Sequence, residues 1–277
     1  MQFRFYKAAY LFFISMLFGT ILLLSFSVDA QQKKKERKGE FYISWGYNTE
    51  WYTNSNVHVD QPELGNRYTF KNISGHDHPG WDDGIFNKAI SIPQYNYRIG
   101  YIFNREKGLG FEINFDHTKF IFADQVAHLQ GTLNNQPADQ NVNFNGDNGF
   151  FYYLNNGANF LLFNIVKRWN VFHSKNEKLK IDFLGKAGFG PVIPHVENSF
   201  FGQKNDPHFQ VGGWNVGVEG ALRITAFQYV FLEYTNKLDY ARYSGLRIYK
   251  GTAKQAFGTY EMILNLGVTF PIGKRVD

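Results

Sequence analysis

Histidine and carboxylate gather most densely at His76-Asp77-His78, followed by Asp82 and Asp83, with His58 upstream. Residues two apart in an extended segment point the same way, so His76 and His78 would share a face. Two imidazoles and a carboxylate suit zinc, copper or another borderline divalent ion. Yet Pro79-Gly80 and Asp83-Gly84 are turn formers, and Asp and His are ordinary residues of a solvated turn. The turn reading takes precedence: His76 and His78 stand only as weak metal candidates, and no cofactor is expected.

A second pattern is Asp116-His117, with His195 and the serines Ser74 and Ser199 at a comparable level. Acyl hydrolysis or transfer needs a hydroxyl or activated water, a histidine base and an orienting acid. Adjacent strand residues face opposite ways, which turns Asp116 away from His117, and neither serine occupies a recognisable elbow. The run from Gly185 to Pro191 (GKAGFGP) lacks the spacing and the following Ser or Thr of a phosphate loop. Its glycines fit a bent strand or crowded neighbours better.

The elements that would position these residues are strands. Phe41, Ile43, Trp45 and Tyr47 alternate with Tyr42, Ser44, Gly46 and Asn48; Tyr95, Ile99, Tyr101 and Phe103 alternate with Asn96, Arg98 and Gly100. Period-two alternation gives each strand one apolar and one polar face. Charged side chains on the polar faces and an export-like N-terminus reverse the order of a soluble sandwich: lipid outside, polar groups inside. Arg4 and Lys7, the apolar stretch from Leu11 to Phe26, and Val28-Asp29-Ala30 read as a signal peptide over 1–30.

Short connections at Asn104 to Gly108, His173 to Lys178 and Thr225-Ala226 alternate with long polar ones near 54–90, 123–157, 191–208 and 238–257. Short periplasmic turns and long extracellular loops characterise an outer-membrane barrel. Strands are expected near 40–53, 90–104, 108–122, 158–171, 178–190, 209–223, 227–237 and 258–271, within a barrel domain over 41–277. That makes an antiparallel transmembrane β-barrel of eight strands. Two loop pieces, Tyr68 to Ile73 and Gln125 to Leu133, are read as strands projecting above the membrane and pairing with each other; if both entered the wall, the count would be ten.

The outward set includes Leu109, Phe111, Ile113, Phe115, Ile181, Phe183, Trp214, Val216, Val218, Met262, Leu264, Leu266 and Val268. Trp45, Tyr47, Trp51, Tyr52, Tyr101, Trp169 and Tyr260 fall near strand ends, as interfacial girdles do. The inward charges are Glu50, Arg98, Glu112, Asp116, Arg168, Lys180, Asp182, Lys186, Glu219, Arg223 and Glu261, accompanied by Asn96, Asn114, Asn215 and Asn265. Tyr229, Phe231 and Glu233 leave the register of strand 227–237 less clear. Eight strands enclose little more than their own side chains, so charges of both signs imply a plug of ion pairs, not an ion pore.

The net charge of +5 is concentrated near the N-terminus: residues 31–40 (QQKKKERKGE) carry +3 and residues from 41 onward only +1. The basic segment reads as a periplasmic tether, and nucleic-acid binding loses its support. The absence of cysteine removes disulfides, thiolate metal sites and a lipid anchor on cysteine.

With the signal, the alternating Tyr95–Phe103 and Gly110–Asp116 segments and the final Tyr260–Phe270 strand, the chain resembles the small eight-stranded outer-membrane barrels, the class of the OmpA transmembrane domain and OmpX, and Bacteroidetes outer-membrane barrels. Phe270 matches the aromatic assembly signal of that class, although Pro271 to Asp277 follow it. The resemblance implies a Gram-negative outer membrane and contact with outer-membrane lipids including lipopolysaccharide; it fixes no activity, because such barrels serve as anchors, adhesins, channels or lipid enzymes. The expectation is a non-catalytic structural or interaction protein, with an outer-leaflet acyl hydrolase or transferase as the alternative and a small pore as the third reading. Tyr68, Phe70, Trp81, Phe150, Phe151 and Tyr152 in the loops are the candidate contact residues for an outer-membrane protein or other partner, against the competing reading that they form the packed core of the loop structure.

Overall fold

The computed structural model describes residues 39–80, 94–122, 124–154, 157–176 and 178–272. In chain order its strands are β1 (Gly39–Tyr52), β2 (Ser55–Gln61), β3 (Asn66–Ile73), β4 (Gly75–His76), β5 (Tyr95–Asn104), β6 (Leu109–Asp116), β7 (Phe120–Phe122), β8 (Gln125–Leu133) and β9 (Gln136–Phe144). There follow β10 (Phe151–Leu154), β11 (Phe160–His173), β12 (Leu179–Pro191), β13 (His195–Phe200), β14 (Gln203–Lys204), β15 (His208–Phe209), β16 (Gly213–Ala226), β17 (Val230–Ile248) and β18 (Gly251–Ile272).

Among the described residues, β1, β5, β6, β11, β12, β16, β17 and β18 pair in that order, and β18 pairs back onto β1. The ring is closed and antiparallel throughout, so the wall has no free edge. A walk from Tyr52 through Thr259, Asp239, Gly217, Gly188, Asn164, Glu112 and Gly100 returns to β1 at Tyr42, a stagger of ten residues. With a rise of about 3.3 Å per residue and strands about 4.8 Å apart, that stagger tilts the strands by roughly 40°.

The faces follow the alternation. Ile99, Phe111, Ile113, Phe163, Ile165, Val216, Val218, Leu222, Leu264 and Leu266 are exposed on the outside, whereas Arg98, Glu112, Asp116, Asp182, Glu219, Arg223, Glu261 and Asn265 are buried within. A hydrophobic exterior around a polar interior is the arrangement that hydrocarbon requires, because the closed ladder satisfies every wall amide internally.

Above the wall the chain builds a second structure. β2 continues the path of β1 along β18 after a break at Thr53-Asn54, and β3, β8 and β9 extend this sheet in turn. β3 and β8 therefore pair as strands outside the ring. The β8–β9 hairpin turns at Asn134 and Asn135, with φ of 50° and 61°, the left-handed conformations that a two-residue turn demands and asparagine tolerates. A separate sheet, β14-β13-β10-β7-β4, with β15 on β13, packs against it. The resulting cap has its own hydrophobic core.

Several boundaries differ from expectation. Residues 238–257 are not a loop but the upper halves of β17 and β18, joined at Tyr249-Lys250 in a long hairpin. The inward parity continues up β18, and up β17 as far as Tyr243, where a bulge at Ser244-Gly245 shifts it to Leu246 and Ile248. The chemistry of the side chains changes along the way, which made the segment look like a polar connection. The segment 120–122 leaves the wall after Asp116 and joins the cap as β7. β16 runs on to Ala226, so the turn lies at 227–229 instead of Thr225-Ala226. Gly39 and Glu40 belong to β1, not to the tether. Tyr52 is no girdle residue: its ring packs edge-on to Phe120 and Phe257 in the cap, each at 5.2 Å. The proposed signal over 1–30 and the rest of the basic tether lie outside the described residues, as do Trp81, Asp82 and Asp83.

Candidate functional site: a plugged barrel and its extracellular cap

Inside the wall, opposite charges meet in layers. In the lowest layer, Glu40 receives Arg168 at 2.5 Å and Arg105 at 3.0 Å, and Lys180 pairs with Asp182 at 2.8 Å. Lys180 is the one predicted inner charge that stays partly exposed, its side chain at 25%. In the middle layer, Lys186 donates at 2.9 Å to both oxygens of Glu112 and to Glu233. Arg223 bonds Glu233 at 2.6 Å and lies 4.2 Å over the Tyr42 ring and 4.0 Å over Phe231. The Tyr42 hydroxyl donates to Glu112 at 2.8 Å. Arg98 reaches Asp116 at 3.3 Å, with Glu219 at 3.9 Å and Glu112 at 4.0 Å.

Above them Lys237 bridges Asp116 at 2.6 Å and Glu261 at 3.0 Å, with Asp239 at 3.7 Å. At the mouth Glu50 is bonded by Asn48 and by Gln94. Ordered pairing of this kind is how charge persists out of water. The eleven charges predicted for the interior point into it, and Glu40, Glu233, Lys237 and Asp239 join them there. Asp239 was hidden in the expected loop 238–257, whereas Lys237 closed the expected strand 227–237, whose register was unclear; both obey the parity of the strand below them.

The cap is the chemical opposite. Phe70 lies at its centre, 5.2 Å from Phe144, 5.4 Å from Tyr68 and 5.7 Å from Phe200. Phe122 stacks on Phe144 at 3.7 Å. Tyr68, Phe70, Phe150 and Tyr152 are buried, which corrects their assignment as contact residues. An isolated strand reads the same whichever face is covered, and here a second sheet covers the aromatic one. Phe151, half-buried, lies under Lys204 at 5.8 Å. Burial also pushes the Tyr68 and Tyr152 hydroxyls above the ordinary tyrosine range.

The outward face of the β2–β3–β8–β9 sheet is mostly polar, although Val126 on it and Phe201, Phe209 and Val211 elsewhere in the cap are exposed. Lys254, His58, Thr69, Gln130 and Asp139 stand in register across β18, β2, β3, β8 and β9. His58 Nδ1 meets Thr69 Oγ1 at 2.8 Å, Gln130 donates to Asp139 at 3.0 Å, and His128 lies 3.2 Å from Asp139. Partial burial, followed by the charges of Lys254 and Lys71, lowers the pKa of His58 and keeps it neutral near pH 7. A groove of about 430 Å³ runs over this face, lined by His58, Asp60, Arg67, Thr69, Gly245 and Lys254.

The residues singled out for metal or acyl chemistry are not assembled for it. His76 and His78 are exposed, whereas the Asp77 carboxylate turns to β1, accepting from Glu50 N at 2.8 Å and Thr49 Oγ1 at 3.1 Å. Among the described residues no group of three metal-ligating side chains occurs. His117 stacks on Tyr95 at 4.7 Å and bonds Asn159 at 2.8 Å, facing away from the buried Asp116. Ser199 donates to the Gly149 carbonyl at 2.8 Å.

No family model and no curated protein matches the chain. Solved structures do. The chain is similar to Ail, the attachment invasion locus protein of Yersinia pestis, solved with the heparin analogue sucrose octasulfate: 18% identity, 84% of this chain and 99% of that one, TM-score 0.31. It is similar to OprG of Pseudomonas aeruginosa at 9% identity, over 86% and 99%, with TM-score 0.38. It is also similar to the outer membrane protease OmpT of Escherichia coli at 9% identity, over 88% and 99%, with TM-score 0.37. These likenesses are of architecture alone. The closed ring, apolar exterior and polar interior make the chain an antiparallel β-barrel of the Gram-negative outer membrane.

Proposed function

We propose that the protein is a non-catalytic interaction protein: a plugged barrel that anchors a folded extracellular cap, whose outward sheet face takes the partner. The observation that carries this reading is the division of labour between the two regions. The inner charges are engaged with one another, and Tyr68, Phe70, Phe144, Phe150 and Tyr152 of the first two long loops are consumed in a core. Their burial holds the polar row from Lys254 to Asp139 on a rigid support, and preorganised side chains lose less entropy on binding than those of a loose loop. A polar face of this kind suits a protein or glycan surface met through hydrogen bonds, while the barrel exterior takes the outer-membrane lipids, lipopolysaccharide among them.

The test is purification from native outer membrane in mild detergent, with the co-purifying molecules identified for the parent chain and for a Thr69→Arg, Gln130→Arg variant. A partner lost from the variant, whose barrel still shows heat-modifiable migration, supports the reading. A barrel that travels alone in both cases, with lipid A or phospholipid acylation that changes when the protein is deleted, overturns it in favour of lipid chemistry.

A further inference from the structure

One polar side chain lies where the wall should be apolar. Outward positions on β17 run Val230, Leu232, Tyr234, Asn236, Leu238, Tyr240 and then Arg242, the first charge. Asn236 is therefore three outward positions from either end of this series. Each such step adds about 5 Å of depth on a strand tilted near 40°, so Asn236 sits about 15 Å from both ends, near the middle of the hydrocarbon. Its cross-strand neighbours are Gly220 on β16 and Met262 on β18. Val218, Leu222, Leu232 and Leu264 around it are all exposed.

The amide is half satisfied. Tyr260 donates to Asn236 Oδ1 at 2.5 Å and Tyr234 donates to it at 3.2 Å. Both hydroxyls thus fill the carbonyl end, and the Nδ2 donors have no acceptor among the described residues. Exchanging the two amide ends would let the tyrosine oxygens accept and leave the carbonyl unused, so one end stays open in either orientation. Lipid tails offer neither donor nor acceptor, and an unsatisfied polar group in hydrocarbon is costly. An amide on a second copy supplies what is missing, because carboxamides pair with themselves. A two-fold contact is isologous by symmetry and brings the same residue from each side.

We infer that the β16–β17–β18 face forms an in-membrane homodimer contact centred on Asn236, each copy's amide hydrogen-bonding its counterpart. The natural chain has no cysteine, so single thiols report proximity cleanly. Full-length protein carrying Leu232→Cys is oxidised in native membranes, alongside an Ile99→Cys control on the β5 wall. The expected result is a disulfide-linked dimer from position 232 and none from position 99. Adding Asn236→Leu should reduce dimer affinity about 3- to 30-fold while heat-modifiable migration is unchanged, since leucine suits the lipid face. Equal cross-linking at both positions, or cross-linking indifferent to Asn236→Leu, overturns the proposal. So does a monomer that retains a lipid, detected by native mass spectrometry and lost on Asn236→Leu: that lipid would then be the acceptor.

Discussion

The barrel and its cap are built from the same strands with their chemistry inverted. On β18 the inward residues are Asn265, Ile263, Glu261 and Thr259 within the wall, then Phe257, Gln255 (bonded to Ser55) and Ala253 in the cap. The outward residues pass from the apolar Leu266 and Leu264 to the polar Lys254 and Thr252. β17 makes the same switch between Asp239 and Ala241 on its inner side and between Tyr240 and Arg242 outside. The parity of the sheet never changes across this level; the solvent does. Lipid outside demands polar pairing inside, whereas water outside restores the ordinary hydrophobic core. The pair of strands marks the membrane surface to within one or two residues.

The sharpest way to break the comparison is to damage each core with the change that the other would tolerate. Arg98→Glu adds a carboxylate to Asp116, Glu112 and Glu219 and removes their shared cation. Losing one partner of a buried pair costs about 3–5 kcal/mol, and reversal costs more, so the variant should fail to yield a heat-modifiable barrel on electrophoresis. Phe70→Ala in the cap should cost about 3–5 kcal/mol through the cavity it leaves. There the loss is local: hydrogen exchange should accelerate across β3, β7 and β8 while the wall amides below Asp239 remain protected.

A gentler probe lies at the junction. Burial pushes His117, just above the last residue of β6, down to about 4. Its ordinary value is 6.5, so below that pH the unfolded segment binds a proton that the folded one refuses. Stability is complete above pH 6.5 and declines as pH falls toward 4. Amide protection at the mouth should drop over that window, and His117→Gln should flatten the dependence. The smallest effect belongs to the β8–β9 turn. Asn135→Ala at φ 61° should cost about 1 kcal/mol, seen as faster exchange confined to that hairpin.

The wall was legible because lipid imposes a strict period of two: Arg98, Glu112, Lys186 and Glu219 all lie where alternation alone puts them. The cap was not, for two physical reasons. The inversion at 241 and 257 turns a polar outward row into what resembles a loop, and so concealed Asp239 in the interior and the hairpin above it. The burial of Tyr68 and Phe70 depends on Phe122, Phe144 and Phe200, which come from distant parts of the chain. No periodicity within β3 announces that a second sheet will cover it. The Asn236 position was readable in principle, as the lone amide in an apolar outward row, but only once the register of β17 was fixed.

The long seam in which β1 and β2 run beside β18 has a mechanical consequence. A pull on the cap from outside the cell is directed along these strands, so it loads many ladder hydrogen bonds side by side instead of opening them one after another. Bonds sharing a load in this way resist far greater force than bonds peeled singly, and the grip of the cap on its anchor should depend strongly on the direction of pull.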